Sequence, residues 1–279
     1  MTSPSQSPSQ SPSESPTPAE LFAGLLREDA AAPRVTCYDD APGPTLGERI
    51  ELSGRVLGNW VSKAANALQE EYDLEPGGLV RLDLAPHWRA LYWALATWQV
   101  GGGVVVAGEG DEDDGGDRGD GGAGGDPRGG RTDEVLLVTD DPARLGDATT
   151  PAVLVTRGAL ARSAEGPVPA GVLDEAADLP TFGDSFDAWA VPDPGDPALV
   201  DPVATTGHGD LVAAAGTALG ASLPPGARLQ LRAPDLRGLL LGALAAWAVD
   251  GSLVVHVGEP DPDVVARRAA DEGVTTVLA

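Results

Sequence analysis

The sequence has almost no lysine. Of its 18 basic residues 17 are arginine, and Lys63 is the sole lysine. Aromatic side chains make up 4% of the 279 residues, and Cys37 is the one cysteine. A single cysteine excludes an intramolecular disulfide framework and fits a reducing compartment. No apolar run reaches the roughly 18 residues of a membrane-spanning helix. Residues 1–18 lack the basic and apolar regions of a secretory signal, so a cytoplasmic protein is expected. Positive charge is scarce too, with 43 acidic residues setting the formal charge at −25. That balance leaves no basic stripe for nucleic-acid phosphates and disfavours an anionic membrane surface. The Ala, Gly, Pro and Arg bias fits a GC-rich coding genome. The length suits one or two domains.

Two stretches distort the composition. Residues 1–18 form a Ser/Pro/Gln tail, TSPSQSPSQSPSESPTP after Met1, with too little apolar surface to offset the entropy of ordering. The tail is expected to be disordered and solvated, although its Ser-Pro pairs could accept phosphate. Residues 108–133 read as a disordered acidic Gly/Asp loop. Residues 109–134 hold ten acidic side chains against three arginines. Gly119, Gly121 and Gly124 fit a dinucleotide-binding spacing, but no strand-to-helix turn surrounds them. A calcium nonapeptide start at Gly121 has no neighbouring repeat to stack on. This match and an Arg118-Gly119-Asp120 tripeptide are read as coincidences of a low-complexity loop.

The remainder alternates helices and strands. Leu21, Phe22, Leu25 and Leu26 have helical spacing. Ser53 is a candidate cap for a helix over 55–72, which places Val56, Leu57, Trp60, Val61, Ala64, Leu68 and Tyr72 on one face. Lys63 is expected to lie solvated beside that face. Val80, Leu82 and Leu84 alternate as a strand, Pro86 is expected to open a second helix, and residues 101–103, all glycine, end it. Val104, Val105 and Val106 then read as a strand covered on both faces. The pattern recurs. APHWRAL at 85–91 matches APDLRGL at 233–239, and ALATWQVGGGVVV at 94–106 matches ALAAWAVDGSLVV at 243–255. Two α/β units follow, over 19–107 and 134–279, together forming one domain with parallel crossovers. The second unit continues through a helix at 262–271 and a strand at 274–278. Trp98 and Trp247 occupy equivalent places and are read as packing helix on sheet. Arg89 and Arg237 also correspond; each could hold an anion or bridge to a loop carboxylate.

These residues resemble a known superfamily. Residues 49–106, from RIELSGRVL to GGGVVV, resemble the opening of adenylate-forming enzymes, which include acyl-CoA synthetases, luciferase and nonribosomal-peptide adenylation domains. EVLLVTD at 134–140 resembles the next strand, and 228–279 resembles the second subdomain. The resemblance implies an α/β fold of two pseudo-symmetric parallel-sheet subdomains, like the N-terminal part of the adenylate-forming large domain. A more specific likeness is to a small family of truncated, adenylate-forming-like proteins of high-GC bacteria. It brings no activity that can be carried over.

The superfamily's diagnostic loop reads Thr-Ser-Gly-Thr-Thr-Gly-x-Pro-Lys-Gly, ahead of a helix beginning His-x-Asn-Leu, and its donors hold ATP phosphates. Here the matching segment is Ala204, Thr205, Thr206, Gly207, His208, Gly209, Asp210, Leu211. Its Pro-Lys-Gly is missing, and Asp210 adds a negative charge. The superfamily's AMP-positioning segment, ribose-binding Asp and C-terminal lysine are expected beyond residue 279. The resemblance implies Thr205, Thr206 and Gly207 as cofactor-binding positions, with no catalytic residue, no metal, no confident cofactor, and at most weak adenosine or AMP binding. Other chemistries find less support. His87, His208 and His256 lack metal-ligand spacing with one another or with Cys37, and no serine-hydrolase elbow occurs. His87 and His256 read as structural or exposed, and Cys37 as a small core residue. Three functions follow as expectations: a degenerate, non-catalytic protein acting by weak ligand binding or partner contact; an adenylate-forming or acyl-CoA ligase-type half completed by a partner chain; or a scaffold using the tail and the acidic loop.

Overall fold

A computed structural model describes residues 15–106, 134–146 and 150–278. Most of the tail, the acidic loop and its motif matches lie outside the described residues. Thr17 and Pro18, read from sequence as the end of the tail, instead cap and open helix α1 (Pro18–Asp29). Thr17 accepts from the Glu20 amide while Glu20 reaches back to the Thr17 amide, a reciprocal capping box. Phe22 and Leu25 bury the inner face of α1.

Strands β1 (Pro33–Asp39) and β2 (Glu48–Ser53) form an antiparallel hairpin leading into α2 (Gly54–Glu70). Ser53 caps α2 by accepting from the Val56 amide, as its position predicts. After β3 (Leu79–Asp83), α3 spans Trp88–Val100. Pro86 does not open it: His87, the next residue, is the N-cap and makes no side-chain cap bond. Gly101 ends α3 at φ 93°, a left-handed position that glycine adopts without Cβ strain, and β4 (Gly103–Val106) follows. The second half contributes β5 (Glu134–Thr139), β6 (Ala152–Leu154), β7 (Val172–Asp174), α4 (Glu175–Asp178), β8 (Pro197–Val200), β9 (Thr205–Gly207) and α5 (Leu211–Ala218). It ends with β10 (Arg228–Arg232), α6 (Leu236–Trp247), β11 (Ser252–Val257), α7 (Pro262–Asp271) and β12 (Thr276–Leu278).

These strands make two sheets among the described residues, ordered β7-β6-β5-β3-β4-β8-β9 and β12-β10-β11-β1-β2. All pairings are parallel except the hairpins β1–β2 and β8–β9. The repeat seen in the sequence is therefore a repeat of structure: β5-β3-β4-β8-β9 has the same order and directions as β12-β10-β11-β1-β2. The units 19–107 and 134–279 do not each keep their own strands. The first unit's hairpin, β1–β2, completes the sheet of β10, β11 and β12, while β8–β9 completes the sheet of β3 and β4. Trp98 on α3 donates its indole N–H to the Ala198 carbonyl of β8 at 2.7 Å, and Trp247 on α6 donates to the Arg34 carbonyl of β1 at 3.3 Å. Each tryptophan thus ties its helix to the hairpin supplied by the other unit. Helices α3 and α6 pack together and are buried along most of their length, joining both sheets into one apolar core.

Candidate functional site

In open parallel sheets, ligands sit beyond the carboxyl ends of the strands. The β8–β9 hairpin brings the sequence-predicted residues to that end only in part. Thr205 pairs with Val200 at the carboxyl end of β8, while Gly207 pairs with Pro197 at its beginning. Thr205, Thr206 and Gly207 are consecutive residues of an extended edge strand, with Thr205 exposed and the other two half-buried. Gly207 has a steric reason to be glycine, because a Cβ there would come 2.7 Å from the Pro194 carbonyl oxygen.

The turn between the strands is short, and it is closed by its own carboxylate. Asp201 donates its amide to the Ala204 carbonyl at 3.0 Å. Its Oδ1 accepts from the Val203 and Ala204 amides at 2.7 and 2.9 Å. Its Oδ2 lies 2.5 Å from Nε of Arg237, on the first turn of α6. Burial alone would raise the Asp201 carboxyl, but Arg237 and the two amides outweigh it and hold the group below its ordinary value. Of the two roles open to Arg237 in sequence, the structure assigns the carboxylate bridge. Arg89 does the same. It pairs at 2.5 Å with fully buried Glu175 and donates to the carbonyls of Arg157 and Gly158.

Past β9, the His208 amide donates to Asp196 and the Gly209 amide to Pro194. The His208 ring is fully buried, and burial lowers its pKa against the opposing pull of the Gly101 and Gly102 backbone and of Asp196. Asp210 stands at the N-cap of α5 without making a side-chain cap bond. A groove of about 1030 Å³ runs beside this turn, lined by Thr17, by Glu20 and Arg27 of α1, and by Pro194, Gly209 and Asp210.

The other candidates are structural. His87 is buried at the start of α3. Burial first, then Arg89 and Arg157, push its pKa down to about 3. His256 lies buried in β11, stacked on Tyr38 and 3.0 Å from Gln230. Cys37 is a buried thiol of β1 whose pKa burial raises to about 12. Among the described residues, no group of three or more His, Cys, Asp or Glu side chains could hold a metal ion.

Lys63 differs from its sequence reading. Its side chain is only 17% exposed; Nζ donates to the carbonyls of Pro180 and Phe182 at 3.0 and 2.6 Å and pairs with Asp184 at 2.7 Å. Sequence reasoning also missed Asp201, because a lone Asp-Pro pair reads only as a turn. Its carboxylate gains meaning from Arg237, 36 positions away.

This architecture is the fold of adenylate-forming enzymes. An acyl-CoA synthetase from Brucella canis superposes with a TM-score of 0.69 at 12% identity, covering 94% of this chain and 46% of that enzyme. The amide bond synthetase McbA from Marinactinospora thermotolerans gives 0.59 at 20% identity, covering 94% and 48%. An artificially fused adenylation–PCP di-domain, NpsA-ThdA from Klebsiella oxytoca, gives 0.61 at 16%, covering 95% and 44%. The chain thus spans less than half the length of these proteins. No protein-family model matches the sequence. A TIGR03089 family protein of Mycobacterium tuberculosis is 31% identical over 256 residues, taking in 91% of this chain and 94% of the relative. The chain belongs to the TIGR03089 family.

Proposed function

We propose that the protein is a non-catalytic form of the adenylate-forming fold, acting through weak ligand binding or contact with a partner protein. The β8–β9 turn carries this reading. The amides of Val203 and Ala204 and the guanidinium of Arg237, donors suited to an anion, already hold the carboxylate of Asp201. An incoming phosphate would have to displace a buried, fully paired aspartate. Lys63 adds support, because its ammonium group is committed to two carbonyls and Asp184. Adenylyl transfer depends on positive charge or aligned donors where negative charge develops, and their loss costs orders of magnitude in rate.

Purified protein assayed for ATP–pyrophosphate exchange against mixed carboxylic acids is expected to give background only. Robust exchange would overturn the proposal. Thr205, Thr206 and Gly207 remain the proposed contact for adenosine or AMP, and a calorimetric titration showing submicromolar ATP affinity would contradict that assignment.

A second reading is an adenylate-forming or acyl-CoA ligase-type half completed by another polypeptide. It is favoured by the superpositions, which take in under half of each enzyme. Co-purification followed by mass spectrometry separates the two readings: a stoichiometric partner that restores exchange supports the second. We place the protein in the cytoplasm, a reading supported by the free thiol of Cys37. No helix among the described residues is long and apolar enough to cross a membrane.

A further inference from the structure

Between α4 and β8 the chain runs as an extended strap along α2, and three polar side chains of α2 hold its main chain. Lys63 takes the carbonyls of Pro180 and Phe182. Asn66 donates to those of Gly183 and Ser185 at 3.1 and 2.9 Å. Gln69 donates to the Asp187 carbonyl at 3.2 Å and accepts from the Trp189 amide at 3.0 Å. Positions 63, 66 and 69 lie on one side of the helix. Few apolar anchors help them: Phe182 and Phe186 are half-buried, the other residues from 183 to 190 are exposed, and Trp189 is 70% exposed. A segment held mainly by hydrogen bonds near solvent belongs to the low-stability end of a fold.

The far end of the strap reaches the candidate site. Pro192 packs on Gly101, so close that a Cβ at Gly101 would lie 3.1 Å from the proline Cδ. The Pro194 carbonyl accepts the Gly209 amide at 2.9 Å, and the Asp196 carbonyl accepts the His208 amide at 3.1 Å. The same Pro194 oxygen is the atom that excludes a side chain at Gly207. The backbone of residues 207–209 therefore rests on the strap.

We infer that the Lys63–Asn66–Gln69 face of α2 is a latch, and that releasing the strap from it loosens the Gly207–His208–Gly209 backbone while both sheets stay folded. Lys63 is a positioning residue that acts on the site through the strap. This coupling holds with or without catalytic activity, because it concerns only which stretches of backbone move together.

Amide hydrogen exchange tests it on the full chain. In Lys63→Met, the Trp189, His208 and Gly209 amides are expected to exchange about tenfold faster, while the β10 amides of Gln230 and Leu231 keep their wild-type rates. Lys63→Arg, which preserves the charge and the donors, should recover most of the protection. If Lys63→Met does not fold, Gln69→Ala provides the same measurement at the other end of the latch. Faster exchange at Trp189 without any change at His208 and Gly209 would overturn the coupling. A uniform acceleration that included β10 would overturn the latch as a local device.

Discussion

At the scale of single residues, the buried polar groups decide how the molecule responds to pH. His87 is neutral in the fold, with its pKa pushed from 6.5 down to about 3 by burial and by the nearby Arg89 and Arg157. An unfolded chain takes up this proton below pH 6.5, whereas the fold refuses it until about pH 3. The stability His87 provides is therefore complete above pH 6.5 and is lost as pH falls toward 3, at up to about 1.4 kcal/mol per pH unit. Urea unfolding of the wild type at pH 6.5 and pH 5 should show about 2 kcal/mol of this loss, and His87→Asn should show a flatter profile between the same two pH values. Asp201 has the same sign in a lower window. Its folded pKa lies below the ordinary 3.8, so its contribution is present above 3.8 and disappears as pH drops through the folded value. The sequence places His87 beside a helix start, with Arg89 two residues on, but Arg157 reaches it from a distant segment. Asp201 is not marked by the sequence at all, because its partner Arg237 arrives from another element.

At the scale of elements, the two tryptophans are the clearest instance of sequence anticipating structure. Their matched positions predicted matched roles, and both indoles bridge a buried helix to the strand that completes its sheet. The bond from Trp98 is shorter than the bond from Trp247, so Trp98→Phe should cost about 1 kcal/mol and Trp247→Phe less, measured by chemical denaturation at neutral pH. Periodicity marked α2 and its Ser53 cap because both signals are local. It failed at Pro86, where a favoured first-turn residue lies ahead of the true N-cap. It also failed for Lys63, whose partners are carbonyls more than a hundred positions away. The superfamily resemblance implies Thr205, Thr206 and Gly207 as part of a loop, yet they form an edge strand because residues 201–204 already make the turn.

At the scale of the whole molecule, the exchanged hairpins are what the sequence could not disclose. The repeat is visible as a string, but which strands share a sheet depends on pairing across the length of the chain. Neither half has a complete sheet of its own. A break between residues 146 and 150 should yield two pieces that stay unfolded when made separately and regain helical circular dichroism and a cooperative thermal transition when made together. Independent cooperative folding of either piece would refute this. The same exchange bears on the order of synthesis. Arg34 at the start of β1 meets Asp250 beside β11, 216 positions later. On the ribosome, the β1–β2 hairpin must therefore wait, with its apolar face uncovered, for β11 to emerge far later in synthesis. Such non-local pairing makes folding slow and leaves intermediates prone to aggregate. Newly made chains should depend strongly on chaperones that hold exposed apolar segments, and recovery of soluble protein should rise when translation is followed by slow folding at low temperature.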